Sequence, residues 1–253
     1  MQNIEGTKII ILAAGYGKRM QSSEPKALSL LKGKPFLKYI LETIESLNPA
    51  WKPIIVIGHK KERIKEALGE HHTYAEQAEQ LGTGHAVMSA KSMIKEDSGI
   101  VLVISADQPL VSKETLKNIL AIQADKKPTI TMATATVPDF GAWRAGLSMF
   151  GRVVRENNGC IKKIVEFKDA SDEEKNIKEL NLALYAFDAK WLWQNIKHLK
   201  KDNAQGEFYL TDLVKLACDQ DKKIEGVEVE SSIEALQPNS KEELELLEKL
   251  MIQ

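Results

Sequence analysis

The chain has 253 residues, enough to bury one large hydrophobic core. Its 35 basic and 36 acidic residues give a formal net charge of -1, and this balance argues against a nucleic-acid-binding surface, which needs a concentrated basic field. The apolar run 8–14 is far too short to span a bilayer, and no small-residue cleavage site follows it. We therefore expect neither a nucleic acid nor a membrane as a partner.

The two cysteines, Cys160 and Cys218, are widely separated, and the chain has no Cys/His cluster with metal-ligand spacing. Both are predicted to be free thiols, which suits a reducing compartment and predicts a cytoplasmic location.

Short continuous apolar runs alternate with longer helical patterns along the first half of the chain. This alternation is typical of a mostly parallel sheet with helices on both faces. The predicted strands are 9–13, Ile54–Ile57, 101–105 and Ile130–Thr136. The predicted helices are 36–47, 84–94 and 113–123, and Ser112 is the expected N-cap of the third. The expected fold class is α/β.

The rhythm changes after about residue 136, where strands at Arg152–Arg155 and 182–187 mix with loops that hold Gly, Asn and Asp. We expect one domain, in which a smaller lobe (137–239) lies against the sheet of residues 1–136. In the final segment, 240–253, Leu244, Leu247 and Leu250 recur at helical spacing, which predicts a terminal helix over 241–251.

A glycine loop follows the first strand directly: Gly15 and Gly17 are succeeded by Arg19 and then Lys26. Glycines let the backbone turn so that its N–H groups face a phosphate chain. The loop departs from the dinucleotide fingerprint, because Met20 takes the place of the third glycine, and it lacks the Gly-Lys-Ser/Thr ending of a P-loop. On the residues alone, a phosphate-binding loop and an ordinary glycine turn both stay open.

Asp107 comes just after the predicted strand 101–105. Ligands of open α/β sheets bind outside the carboxyl ends of the strands. A carboxylate at this point suits Mg²⁺, which takes hard oxygen ligands and keeps several waters. The alternative interpretation is an aspartate that serves a turn or caps a helix.

Several segments, in the same order along the chain, carry a resemblance to a known family. The pattern L-A-A-G-x-G-x-R-M over 12–20, followed by E-P-K at 24–26, resembles the signature of the nucleotide-diphosphosugar pyrophosphorylases. Three further segments resemble one branch of that family, the bacterial N-acetylglucosamine-1-phosphate uridyltransferases: AEQLGTGHA (78–86), IVEFKDA (164–170) and AQGEFYLTD (204–212). The resemblance covers essentially the whole chain and implies a Rossmann-like nucleotidyltransferase fold whose smaller lobe binds a sugar.

The implied reaction joins UTP and a sugar 1-phosphate, N-acetylglucosamine 1-phosphate, to give the cell wall precursor UDP-N-acetylglucosamine and pyrophosphate. A sugar-phosphate oxygen attacks the α-phosphorus directly, so catalysis depends on positioning and on neutralising phosphate charge. The resemblance assigns Arg19 to the leaving pyrophosphate and Lys26 to the α-phosphoryl group. It assigns Asp107 and Asn239 to the cofactor Mg²⁺, although Asn239 has the alternative interpretation of an N-cap for the terminal helix.

The resemblance also implies two sets of substrate-binding residues. The nucleotide set is Leu12, Ala13, Ala14, Gly15, Gln77, Gly82, Thr83, Ser105, Ala106 and Asp107. The sugar set is Gly151, Glu166, Asn181, Tyr209 and Thr211. The amide of Gln77 both donates and accepts, so we expect it to read the O4/N3 edge of uracil. Thr83 is expected to cap the helix that follows it, and His85 is expected only to pack.

Three departures from the family pattern bear on the substrates. Ala106 stands where a glycine is usual, and Leu182-Ala183 replaces the usual Thr/Ser-Gly after Asn181. The segment 137–150 is longer than usual and is interpreted as a lid over the sugar. A related enzyme that uses another sugar 1-phosphate or CTP therefore stays open, and an inactive sugar-nucleotide sensor is the non-enzyme alternative.

The bifunctional members of this branch continue into a β-helix of hexapeptide repeats that carries acetyltransferase activity, and the 253 residues contain no such repeat. The sequence leaves two alternatives open, a natural single-function enzyme or one part of a longer protein. It does not determine the oligomeric state.

Overall fold

A computed structural model of the protein describes residues 6–15, 24–94 and 99–251. The strands are β1 (Thr7–Leu12), β2 (Leu30–Leu31), β3 (Lys34–Pro35), β4 (Ile54–Ile57), β5 (Thr73–Glu76), β6 (Ile100–Ser105), β7 (Ile130–Thr136), β8 (Arg152–Arg155), β9 (Ile161–Val165), β10 (Glu179–Asp188) and β11 (Ile224–Glu228). The α-helices are α1 (Phe36–Glu45), α2 (Lys61–Leu68), α3 (Thr83–Ser89), α4 (Lys113–Lys126), α5 (Asp172–Lys175), α6 (Ala189–Asn195), α7 (Asp212–Asp219) and α8 (Lys241–Leu250). Short 3-10 helices lie at Lys26–Leu28, Lys91–Met93, Ala142–Met149, Ile196–His198 and Ser232–Ala235.

One nine-stranded sheet organises the chain, with the central order β11-β7-β10-β6-β1-β4-β5 and with β8 and β9 attached through β10. Strand β10 runs antiparallel to both of its central neighbours, β6 and β7. The other central pairs are parallel. The predicted mostly parallel α/β sheet is therefore confirmed.

Helices cover both faces of the sheet because successive strand side chains point to opposite sides. In β1, Ile9 and Ile11 pack into one buried cluster, which α1, α4 and α8 complete. Ile10 packs into a second cluster on the opposite face, which includes side chains of α3, α6 and α7. Both clusters are formed by buried aliphatic and aromatic side chains, so the arrangement on both faces is confirmed as well.

The local predictions agree with the structure to within a few residues, except at the end of one helix. Ser112 caps α4 as expected, since its hydroxyl accepts a hydrogen bond from the Thr115 amide at 3.0 Å. The predicted helix 84–94 ends earlier, at Ser89, and continues as a 3-10 turn. The smaller lobe contributes β10 to the centre of the main sheet, and the division into 1–136, 137–239 and 240–253 stays a prediction.

The segment 137–150 packs against the end of the chain, and its interpretation as a lid over the sugar stays a prediction. The segment forms the 3-10 helix Ala142–Met149, which borders a cavity of about 210 Å³ together with Leu236–Pro238 and side chains of α8. The buried guanidinium of Arg152 holds the end of this helix by donating to the carbonyls of Ser148 and Phe150. The segment therefore packs on the terminal helix.

No described helix is both long enough and apolar enough to cross a membrane.

A bulge in β10 places Ala183 in the left-handed backbone region, with φ 54°. This conformation costs a residue with a Cβ about 1–2 kcal/mol, whereas glycine adopts it freely. Glycine also adds roughly 0.4–1 kcal/mol of backbone freedom to the unfolded chain. We therefore expect Ala183→Gly to raise the free energy of unfolding by about 0.5–1 kcal/mol, the difference of these terms, in urea titrations. Ala186→Gly, in the same strand but without a positive φ, should lower the free energy of unfolding. If both variants lowered it, Ala183 would not be strained.

Candidate active site

A pocket of about 350 Å³ opens at the carboxyl ends of β1 and β6, a size usual for small-molecule sites. Every residue predicted to bind the nucleotide lines it, and so does Lys26. The pocket is lined by Leu12, Ala13, Ala14, Gly15, Lys26, Ala27, Gln77, Gln80, Gly82, Thr83, Ala86, Ser105, Ala106, Asp107 and Glu207. Sequence reasoning gave no role to Ala27, Gln80, Ala86 and Glu207, although the last three lie within the motif segments 78–86 and 204–212.

The parallel pairing of β1 with β6 brings the two halves of the pocket floor together. Leu12 lies opposite Ser105 in register, and beyond the strand ends the Ala106 amide still donates to the Leu12 carbonyl at 2.9 Å. Asp107 follows directly. The start of the glycine loop, up to Gly15, and the aspartate therefore meet at the same edge of the sheet, as the rule for open α/β sheets predicts.

The backbone of Gly82 lies close to the backbone of Phe208 at the wall of the pocket. Its φ is 107°, and a Cβ there would lie 2.7 Å from the Phe208 carbonyl oxygen, so a side chain is excluded by both strain and space. The prediction that Thr83 caps α3 is wrong: Gly82 holds the cap position. The Thr83 hydroxyl instead accepts a hydrogen bond from the Leu210 amide at 3.0 Å, which ties the pocket to the chain before α7.

The amide of Gln77 is fixed in one orientation. Its nitrogen Nε2 donates to the Gly82 carbonyl at 3.1 Å and lies 3.1 Å from Nδ1 of His85. The carbonyl accepts only, so Nε2 must face it, and Nδ1 completes the pair as an acceptor when the ring proton is on Nε2 of the imidazole. Both amide hydrogens are then used, and only Oε1 is left for a ligand. Gln77 thus offers an acceptor alone, and His85 does more than pack.

Three residues far apart in sequence meet at one side of the pocket. The Lys26 ammonium lies 2.5 Å from Oδ2 of Asp107 and 2.6 Å from Oδ1 of Asn239. Asn239 is oriented by its own hydrogen bonds, from its Nδ2 to the Gln237 carbonyl and from its backbone amide to Glu243, both at 2.7 Å. The interpretation of Asn239 as a helix cap is wrong, because Ser240 caps α8.

The donor set at this point fits a hard divalent cation. The oxygens of Asp107 and Asn239 already converge on a positive charge, that of Lys26. The second oxygen of Asp107, Oδ1, is buried without a hydrogen-bond partner, and such an atom calls for a cation or a water. Within the described chain no three His, Cys, Asp or Glu side chains cluster for a metal. A metal held here would take its other ligands from substrate and water, as Mg²⁺ does.

The predicted catalytic residue Arg19 and the glycine Gly17 lie outside the described residues. The role of Arg19 stays a prediction.

The five predicted sugar residues form a second cluster, apart from the lining of the first pocket. Thr211 donates from its hydroxyl to Glu166 at 3.1 Å, and the backbone N–H of Asn181 donates to the Gly151 carbonyl at 2.9 Å. A Cβ on Gly151 would lie 3.4 Å from Oε2 of Glu166. Tyr209 is buried; burial raises the pKa of its hydroxyl to about 12, and the neighbouring Glu166 acts in the same direction.

Gln108, which sequence reasoning missed, links the two clusters. It is fully buried, accepts from the Ser105 amide at 3.3 Å and donates to the Leu182 carbonyl. A glutamine beside an aspartate carries no recognisable sequence signal, because its partner lies 74 positions further along the chain. The contact holds the end of β6 against the bulge of β10.

Burial raises the pKa of Glu166, opposed by its hydrogen bond from Thr211, and the nearby Asp212 raises it further. A raised folded-state pKa means that the charged form is penalised by folding, so stability is lost as the pH rises from the unfolded pKa through the folded one. We expect Glu166→Gln to raise the melting temperature at pH 8 and to leave it unchanged near pH 4, with loss of activity.

The matched variant for this experiment is Glu174→Gln. The hydrogen bond from Lys163 is the largest cause that lowers the pKa of Glu174, so its charge stabilises the fold above the unfolded pKa. This variant should lower the melting temperature at pH 8. If Glu166→Gln also lowered the melting temperature at pH 8, the charged form of Glu166 would not destabilise the fold.

Comparison with known proteins agrees with the motifs. The model of the MobA-like NTP transferase domain family matches residues 9–206. The chain is 41% identical over 243 residues to the bifunctional protein GlmU of Streptococcus mutans, which covers 96% of this chain and 51% of that protein. It is 39% identical over 248 residues to the bifunctional protein GlmU of Thermoanaerobacter pseudethanolicus, covering 98% of this chain and 52% of the relative. The chain thus spans about half the length of the curated relatives it matches.

Solved structures show the same fold at low identity. A crystal structure of UDP-glucose pyrophosphorylase complexed with UDP-glucose aligns with TM-score 0.79 and 18% identity, over 97% of this chain and 98% of that one. The 4-diphosphocytidyl-2C-methyl-D-erythritol synthase of Anaerococcus prevotii aligns with TM-score 0.66 and 15% identity, over 99% and 100%. The family model covers most of the chain, and the chain belongs to the MobA-like NTP transferase domain family.

Proposed function

We propose that this domain transfers a uridylyl group from UTP to N-acetylglucosamine 1-phosphate, giving UDP-N-acetylglucosamine and pyrophosphate with Mg²⁺ as cofactor. The observation that carries the proposal is the convergence of Lys26, Asp107 and Asn239 at the edge of a pocket that is lined by the start of the glycine loop, residues 12–15. The motifs that resemble the uridyltransferase branch, and the similarity to GlmU over nearly the whole chain, support the choice of substrates. The expected cytoplasmic location stays a prediction.

In this proposal the chain acts by position and charge. Asp107 and Asn239 hold the metal, which when bound neutralises phosphate charge and polarises phosphoryl oxygens. The ammonium of Lys26, seated between their oxygens, stabilises the negative charge that develops around the α-phosphorus. Arg19 is assigned to the leaving pyrophosphate. The sugar phosphate binds in the second cluster, where the carboxylate of Glu166 accepts from sugar hydroxyls.

The direct test is pyrophosphate release by the purified protein with each of UTP and CTP and with each of N-acetylglucosamine 1-phosphate and glucose 1-phosphate. The proposal expects the highest kcat/KM for UTP with the N-acetylated sugar. Absence of turnover with every pair would support the inactive sensor instead. If kcat/KM for N-acetylglucosamine 1-phosphate were equal to or lower than that for glucose 1-phosphate, the N-acetyl preference would be refuted, and the uridylyl transfer would still stand.

Glucose 1-phosphate is the second candidate substrate, and one observation favours it. Leu182 and Ala183 replace a hydroxyl residue and a glycine beside Asn181, which changes the wall of the sugar cluster. A single lost contact discriminates by only about 1–3 kcal/mol, so such a wall would admit both sugars. An apolar wall suits the methyl of an acetyl group, and for this reason the N-acetylated sugar is preferred here.

For the nucleotide we expect UTP to exceed CTP in kcat/KM by about tenfold to a hundredfold, the cost of one unpaired buried polar group. With the imidazole proton of His85 on its Nε2, both amide hydrogens of Gln77 are used inside the protein, and Gln77 presents only the acceptor Oε1 to a ligand. The N3–H of uracil donates to it, whereas N3 of cytosine presents a lone pair. The measurement is kcat/KM for both nucleotides in the wild type and in Gln77→Ala, where the preference should fall. Equal values in the wild type would contradict the reading by Gln77.

A further inference from the structure

The side-chain amide of Asn181 is held by two donors on the same oxygen. The Tyr185 hydroxyl donates to Oδ1 at 2.8 Å, and the backbone amide of Ala183 donates to it at 3.1 Å. Tyr185 and Asn181 are both buried. Since a hydroxyl that donates and an N–H both require an acceptor, Oδ1 must face them, and the nitrogen Nδ2 must point the other way.

Nδ2 is left with its hydrogens free for a ligand. Among the residues that the structure describes, none accepts a hydrogen bond from it. The fully buried polar side-chain atoms without a partner in the described chain are Asp107 Oδ1, Trp193 Nε1 and the Tyr209 hydroxyl, and Nδ2 of Asn181 is not one of them. The nitrogen therefore keeps contact with solvent. The carboxylate of Glu166 lies in the same cluster, beyond Gly151.

The backbone around this amide is strained to make the arrangement. The ladder between β10 and β7 shifts register between Asn181 and Tyr185, and Ala183 takes φ 54° within the bulge. The bulge turns the Ala183 amide away from the ladder and toward Oδ1. Strain of this kind is kept where the surrounding structure holds a side chain in one orientation.

We propose that Tyr185 is a positioning residue that fixes Asn181 as a hydrogen-bond donor to the sugar 1-phosphate. The pair then selects a sugar that presents an acceptor oxygen at that point, such as the carbonyl of an acetamido group. Glu166 supplies the complementary acceptor for hydroxyl groups, so the cluster offers one donor and one acceptor. The inference rests on the proposed function and adds to it the residue that sets the polarity of the sugar site.

The test is Tyr185→Phe, which removes only the hydroxyl. We expect the KM for N-acetylglucosamine 1-phosphate to rise about tenfold while kcat and the KM for UTP stay within twofold, and we expect the preference over glucose 1-phosphate to fall. Asn181→Asp keeps an oxygen for both donors and replaces the donor nitrogen with an acceptor, so its kcat/KM should fall about a hundredfold. Tyr74→Phe is the matched control, because it also removes one hydrogen bond to a carbonyl, that of Gly69, away from both clusters.

A second readout does not depend on turnover. In ¹H–¹⁵N spectra the side-chain amide pair of Asn181 is identified by its loss in Asn181→Asp. It should shift or broaden in Tyr185→Phe and stay unchanged in Tyr74→Phe. An unchanged pair, or a Tyr185→Phe variant with the same sugar KM as Tyr74→Phe, overturns the positioning role. A wild type that releases no pyrophosphate overturns the proposed function, and the spectra still decide the orientation of Asn181.

Discussion

Replacing Asp107 with alanine is expected to lower kcat on the order of a thousandfold, the loss typical of removing a group that stabilises developing charge. The carboxylate and the side-chain oxygen of Asn239 both meet the Lys26 ammonium at the candidate metal position, and the buried Oδ1 of Asp107 has no hydrogen-bond partner among the described residues. Without it a divalent cation would keep only the neutral oxygen of Asn239. The measurement is kcat at saturating UTP and sugar phosphate over a range of Mg²⁺ concentrations.

Two variants separate chemistry from folding in this experiment. Asp107→Asn keeps an oxygen and loses the charge, so its kcat should lie between those of the wild type and the alanine variant. It should also need a higher Mg²⁺ concentration for half-maximal activity. Asp172→Asn also breaks an ion pair, that with Lys175 at 3.2 Å, but lies outside the pocket, and it should leave kcat unchanged. Full activity of Asp107→Ala at ordinary magnesium would remove Asp107 from the metal site.

Local patterns predicted most elements of the fold because each follows from a few neighbouring residues. The apolar runs Ile54–Ile57 and Ile130–Thr136 are strands with the predicted bounds, and Ser112 caps α4. The position of β10 between β6 and β7 could not be predicted in this way. Strand order depends on pairing between distant segments, and neither periodicity nor turn chemistry encodes it.

For the site, too, the sequence predicted some features and could not predict others. The motifs predicted residues that line one pocket because these residues come from short contiguous loops at strand ends. They could not give the orientation of an amide, which depends on groups elsewhere in the chain. Gln77 is oriented by His85 and by the Gly82 carbonyl, and Asn181 is oriented by Tyr185. Donor and acceptor roles at such sites follow only from the three-dimensional contacts.

Replacing Lys26 with alanine is the second large effect, with kcat and kcat/KM expected to fall together by about a hundredfold or more. An interaction made only in the transition state has this signature, and the Lys26 ammonium is placed beside the oxygens that would hold the metal and its phosphates. Arginine should not restore the rate, because the planar guanidinium cannot replace a compact ammonium between two oxygens. The measurement is steady-state kinetics in UTP and sugar phosphate.

The matched control is Lys61→Ala, which breaks an ion pair of the same length, 2.5 Å to Glu76, on the exposed face of α2; surface pairs of this kind contribute about 0–1 kcal/mol. Its kinetics should equal those of the wild type.

Because the ammonium of Lys26 lies on the oxygens of Asp107 and Asn239, its removal should also lower the Mg²⁺ concentration needed for half-maximal activity. A raised KM for UTP with unchanged kcat would make Lys26 a simple binding contact, and an unchanged magnesium requirement would mean that its ammonium and the metal do not share these two ligands.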